Sequence, residues 1–221
     1  MGEEILKVNI QTMTEVRLLP SGGHGLFATQ SYAAGDVIVE ESKPILRLAP
    51  SSDEDELKLL AALPPVKKGG PKDNKVSFLA SIAPPSSLSK DEVGKFLGMI
   101  RTTTSFTEFQ QDEDGLCRTL ELYAPRLENA SPEEEGMVKV AKEALKYMQN
   151  HSKGESKLRT FVNDHPNDAL KLMLVWSCNS FQGGQIYEIQ CRVNHSCDPN
   201  VIVQAEDDTQ VMRAATVIKS G

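Results

Sequence analysis

Arg192-Val193-Asn194-His195-Ser196-Cys197-Asp198-Pro199-Asn200 lies near the C-terminal end of a chain of 221 residues. It gathers two Asn, a His, a Cys, an Asp and a Pro between two β-prone runs, Gln185-Ile186-Tyr187-Glu188-Ile189 before it and Val201-Ile202-Val203 after it. A polar knot in that position is a loop whose side chains hydrogen-bond their own backbone. It can equally be a loop that holds a ligand against a rigid sheet. The stretch alone leaves both readings open.

Working outward, the chain reads as β from Gly183: Gln185 to Cys191, Val201 to Gln204, a turn at Asp207-Asp208, then Gln210 to Thr216. It stops at Ile218-Lys219-Ser220-Gly221, a strand-then-turn pattern that reads as cut. At the other end, residues 1–14 are a polar lead-in and residues 15–50 are again β-like. Val16-Arg17-Leu18-Leu19, Gly25-Leu26-Phe27-Ala28 and Val37-Ile38-Val39-Glu40-Glu41 are separated by Pro20-Ser21-Gly22-Gly23 and Ala33-Ala34-Gly35-Asp36. Short β runs punctuated by Gly-containing turns predict an antiparallel unit.

Between these β segments, residues 51–177 read as a largely helical insertion. Three Ser-x-x-Glu capping boxes open helices: Ser51 with Glu54, Ser89 with Glu92, and Ser131 with Glu134, the last with Pro132 at the first helical position. Val93, Phe96, Leu97 and Ile100 keep helical spacing after the second box, and Met137, Ala141, Ala144, Leu145 and Met148 after the third. A last helix is expected from Asn167 to about Ser177 through Leu170, Met173 and Leu174. Lys67 to Asn74 reads as a mobile Gly/Lys/Pro-rich linker. The acidic runs Asp53–Glu56 and Glu133–Glu135 fall in first helical turns, where the helix dipole accounts for them.

Hydrophobic residues at 39% and charged residues at 25% fit a globular core, which aromatics at only 5% make mostly aliphatic. A formal net charge of −7 argues against a broad phosphate-binding surface, so basic protein segments are more natural partners than nucleic acid. The N-terminus MGEEILKVNI is acidic and lacks an apolar core, and no run reaches membrane-spanning length. Cys117, Cys178, Cys191 and Cys197 form no CxxC pair. The expectation is reduced thiols in the cytosol or nucleus, with no membrane contact.

Three pieces of the chain, in order, resemble a SET domain. Gly23-His24-Gly25-Leu26-Phe27-Ala28 with Ala34-Gly35-Asp36-Val37-Ile38 and Glu40-Glu41 looks like its opening. Asn194-His195-Ser196-Cys197-Asp198-Pro199-Asn200 matches its most specific signature. Cys178-Asn179-Ser180-Phe181 resembles the segment after the insertion in the SMYD branch, which also places an aromatic where Tyr187 stands. The resemblance covers residues 15–50 and about 165–221 closely, and the helical middle by position alone. No Cys/His finger follows Glu41, so the MYND module of that branch is missing. Arg192 stands where the family usually has an apolar residue.

The resemblance implies a mainly β SET fold of small β-clip-like sheets with a large helical insertion, α+β overall. It also implies a protein-lysine methyltransferase using S-adenosylmethionine. Such a reaction needs in-line alignment of donor and acceptor and a lysine kept neutral against a pKa of about 10.4, which a dry aromatic channel favours. His24 and Gly25 match the segment at the amino-acid end of the cofactor, and Asn194 and His195 the pair at its adenine and methionine moiety. Asn179 matches a cofactor-contacting amide. Phe181 and Tyr187 match aromatics of the substrate-lysine channel. The family's catalytic tyrosine would fall beyond Gly221, so no catalytic residue is expected within the chain. In the SMYD branch Cys197 gives one thiolate to a zinc completed by a later Cys-rich segment. No metal is expected without that segment, and Cys117 and His165 are read as structural. The expected partner is a protein with an exposed lysine, a histone tail among the candidates. Two alternatives stay open: a non-catalytic SET-like binding module, and a metal site around Cys191, His195 and Cys197.

Overall fold

A computed structural model describes residues 14–18, 24–46, 58–59, 61–63, 82–110, 113–125, 127–128, 130–181, 184–194, 196–206 and 209–221. The expected capping box at Ser51, the acidic run Asp53–Glu56, the linker Lys67–Asn74 and the turn Asp207-Asp208 lie outside these residues, as does His195. The chain divides into two compact units, one formed by 1–44 with 187–221 and the other by 45–186.

Among its described residues the first unit carries five strands. β1 (Thr14–Leu18) pairs antiparallel with β2 (His24–Ala28), in a register that sets Arg17 opposite Gly25 and Leu18 opposite His24. β3 (Val37–Glu41), β4 (Val201–Glu206) and β5 (Thr209–Ala214) form an antiparallel sheet in the order β3-β5-β4. β5 is central because its Val211, Met212 and Ala214 are apolar and buried, while β4 is an edge with Ile202 exposed. β3 thus joins the C-terminal strands rather than its sequence neighbours. A bulge between Val37 and Val39 adjusts its register with β5. Gly35 turns the chain into β3 at φ 90°, a backbone state that L side chains resist, and its N–H donates to Ala214 O at 2.8 Å. Tyr32, Ile38, Val39, Ile189, Met212 and Ala214 make the small core of this unit, with Leu26 and Val193 packed against it.

The second unit is helical. α1 (Lys90–Ser105), α2 (Glu113–Leu120), α3 (Pro132–His151), α4 (Lys157–Asp164) and α5 (Pro166–Asn179) surround a core in which Phe96, Ile100, Ala141, Ala144, Met148 and Met173 are fully buried. Phe96 meets Tyr147 edge-to-face with centroids 5.6 Å apart. α1, α3 and α5 pack against one another. α1 passes directly into a π turn, Phe106–Gln110, preceded by a buried Thr102-Thr103-Thr104-Ser105 run. Thr103 and Thr104 satisfy their hydroxyls by donating to Met99 O and Ile100 O one turn back. The unit begins at Ile45 and ends at Ile186, further out on both sides than residues 51–177, because Leu46 and Ile186 pair in an isolated antiparallel bridge.

The capping box of α1 is closed on both sides. Ser89 N–H donates to Glu92 Oε2 at 2.7 Å and Ser89 Oγ accepts from Glu92 N–H, while Lys139 Nζ donates to Glu92 Oε1 at 3.1 Å. The Ser89 backbone N–H, then Lys139, hold the Glu92 carboxyl down to about 2. A carboxylate depressed on folding stabilises the fold above its unfolded value and loses that contribution as pH falls through its folded value. Acid titration of thermal stability is therefore expected to separate the native chain from Glu92→Gln. The native chain keeps its advantage above about pH 4.5 and loses it towards about pH 2.

Candidate functional site

The signature loop is held at its entrance, in its middle and at its exit. The entrance is a 3-10 turn, Gln190–Arg192, not the strand expected over Gln185 to Cys191. The apolar pattern of Ile186, Tyr187 and Ile189 reads as β, but a carboxylate brought in from β3 captures the backbone donors that a strand would need. Glu41 accepts from Ile189 N–H at 3.1 Å and from Gln190 N–H at 2.9 Å. Bonds from Cys191 N–H to Tyr187 O, Arg192 N–H to Ile189 O and Val193 N–H to Gln190 O then close the turn. The Gln190 side chain, 2% exposed, donates from Nε2 to Gln210 O at 2.7 Å. In the middle, Ser196 Oγ donates to Asp198 O at 2.9 Å and accepts from Asp198 N–H at 3.2 Å. At the exit, Ala215 N–H donates to Asn200 O at 2.8 Å. The self-bonded loop is real at Ser196 and Asp198. It leaves Asn194 exposed, making no hydrogen bond to another described residue.

Glu41 sits where electrostatics are costly. Burial raises its carboxyl above the ordinary range and Glu188 adds to the rise, against the opposing pull of the Ile189 and Gln190 N–H groups. The sequence shows Glu41 only as half of a Glu-Glu pair. Its role appears once a partner 148 positions away is in place.

His24 opens β2 and is exposed, while Gly25 is buried in the same strand. β2 lies against the 3-10 turn. Leu26 and Val193 pack on one core, so their chain neighbours Gly25 and Asn194 are carried by segments that share it. Tyr187, 2% exposed, belongs to the same unit. Cys197 is an exposed thiol, and no disulfide joins the four cysteines. Burial pushes the Cys191 thiol up to about 12, which disfavours the thiolate a metal would require. Among the described residues no group of three His, Cys, Asp or Glu is placed to hold a metal ion.

Asn179 and Phe181 belong to the helical unit. Asn179 ends α5, and its Nδ2 donates to Val175 O at 2.7 Å and to Tyr123 O at 2.8 Å. Both amide hydrogens are committed, so a ligand contact through them would break one of these bonds. The Tyr123 hydroxyl in turn donates to Glu134, which also accepts from Ser131 N–H at 2.7 Å in the cap of α3. That hydrogen bond with Glu134 carries the phenol up to about 12. Phe181 is half-buried at the start of a tight turn, donating from N–H to Gln185 O and accepting from Gly184 N–H, both at 2.9 Å.

The sequence matches no curated protein. It does match the family model described as the SET domain, over residues 23–221. That span runs from strand β2 through the signature loop to β5 and beyond, and covers far more than half of the chain. The chain belongs to the SET-domain family.

Proposed function

We propose that this chain binds S-adenosylmethionine and serves methyl transfer to a lysine side chain of a protein substrate. SET domains are typically protein-lysine methyltransferases, and the family match over residues 23–221 is the observation that carries the reading. The donor chemistry of the loop supports it. Asn194 presents a carboxamide with both acceptor and donor capacity, exposed at the mouth of a loop whose backbone is fixed on either side. Gly25, without a side chain, lets backbone approach from β2. Amide and backbone groups of this kind suit a zwitterion bearing an adenine, and they suit it without a metal.

When bound, the cofactor supplies an electrophilic methyl group on its sulfonium. The protein's part is to hold and orient it. His24 and Gly25 are assigned to its amino-acid end, and Asn194 and His195 to its adenine and methionine moiety. Asn179 is assigned as a third contact through its carboxamide. Phe181 and Tyr187 are assigned to the apolar wall that would keep the acceptor lysine neutral. The segment Cys178-Asn179-Ser180-Phe181 after the helices, with Tyr187, supports placing the chain near the SMYD branch. A histone tail or another basic segment is the natural substrate for a chain of net charge −7, in the cytosol or nucleus.

The test is methyl transfer from labelled cofactor to a mixture of histones and lysine peptides, run beside a calorimetric titration with S-adenosylmethionine. Saturable binding of S-adenosylmethionine is the expected result, and labelled lysine would show transfer by this chain as well. Binding without transfer would make the chain a non-catalytic cofactor-binding module, and absence of binding would overturn the reading.

A further inference from the structure

We propose that Glu41 and Gln210, register partners on β3 and β5, act together as a clamp on Gln190 that positions the signature loop for its ligand. The inference deepens the methyltransferase reading and rests on it for the identity of the ligand.

The geometry is that of a two-sided grip on one residue. Glu41 takes the backbone of Gln190 at 2.9 Å and that of Ile189 at 3.1 Å, while the carbonyl of Gln210 takes the Gln190 side chain at 2.7 Å. Glu41 and Gln210 stand directly opposite each other in the sheet, so the grip is anchored on two strands at once. Gln190 and Gln210 are both buried, which strengthens each bond by excluding water. The next turn residues, Cys191 and Arg192, donate from N–H to Tyr187 O and Ile189 O, and the chain passes through Val193, whose N–H donates to Gln190 O, into Asn194. The position of the Asn194 amide therefore follows from how the turn is held. A displacement of about 1 Å at such a contact is enough to impair orientation.

A carboxylate is the fitting group for this task because its two oxygens accept from two adjacent N–H groups and donate nothing. An amide in its place keeps the volume but turns one of those oxygens into a donor facing an N–H. Glu41→Gln is thus the informative variant. Gln190→Met, which keeps the chain length and removes the bond to Gln210, is its companion. Neither residue is assigned to touch the cofactor, so both act as positioning residues.

The experiment compares these variants with the native chain by amide hydrogen exchange across residues 186–200, by thermal unfolding, and by the Kd for S-adenosylmethionine. For Glu41→Gln the expected result is faster exchange confined to residues 189–200, with about a fivefold to tenfold weaker Kd and a midpoint that still shows a folded chain. Gln190→Met should move the same two readings in the same direction by less. Unchanged exchange in 189–200 would overturn the clamp, as would a native Kd in a variant whose loop exchanges faster. If the native chain itself failed to bind S-adenosylmethionine, the ligand assignment would fall, and the exchange comparison would still decide the clamp.

Discussion

Gly98→Ala is expected to destabilise the helical unit by about 2–3 kcal/mol, against the usual gain from replacing a helical glycine. The reason is a close approach between α1 and α5. A Cβ built on Gly98 would lie 2.2 Å from Trp176 Cη2 and 2.8 Å from Cζ3, well inside any real contact. Trp176 is a poor candidate to move aside, since its Nε1 donates to Gly184 O at 3.1 Å at the other edge of the ring. Swinging the indole would break that bond and loosen the turn that carries Phe181. Gly94, one turn earlier on the same helix, has open space where its Cβ would go. There Gly94→Ala should raise stability, by up to about 1 kcal/mol. Urea unfolding of the two variants checks the pair, and opposite signs are the expected outcome. Equal effects would mean that the indole yields without cost.

Asn194→Ala is expected to weaken binding of S-adenosylmethionine by about 10- to 100-fold while leaving thermal stability close to native. The side chain is exposed and bonds to no other described residue, so its removal costs the fold little. Hydrogen bonds to a charged ligand contribute about 1.5–3 kcal/mol, and about 1.4 kcal/mol is a tenfold change in affinity. Calorimetry together with a melting curve separates the two effects. A stability loss without an affinity loss would show that Asn194 serves the loop and not a ligand. Ser196 makes the useful contrast, since its hydroxyl is already spent on Asp198.

Local features were legible in the sequence, and those that depend on distant partners were not. The caps at Ser89 and Ser131 are written within four residues, and both helices start where the boxes place them. The buried faces at Phe96, Ile100, Ala141, Ala144 and Met148 follow from helical spacing alone. The helix expected from Asn167 to about Ser177 runs from Pro166 to Asn179, a difference of the size that frayed helix ends produce. The misreading of Gln185 to Cys191 has a different origin. An apolar run of that length fits strand or turn equally, and the deciding carboxylate comes from Glu41, on the far side of the helical unit in sequence. The pairing of β3 with β5 is non-local in the same sense. Asn179 stands in a family-like motif, and no local signal in the sequence shows that its amide hydrogens are spent on Val175 O and Tyr123 O.

The anchoring of the loop around Asn194 explains how an exposed polar stretch is fixed in place. Gln190 fixes it to β3 and β5, Asn200 ties its exit to Ala215, and Ser196 with Asp198 sets its bend. The most direct measurement of its assigned role is a nuclear magnetic resonance titration of the chain with S-adenosylmethionine, following the backbone amides of β2 and of residues 194–200. Saturable shifts in both segments, abolished or strongly weakened in Asn194→Ala, are predicted. No saturable shift in either segment would contradict the account.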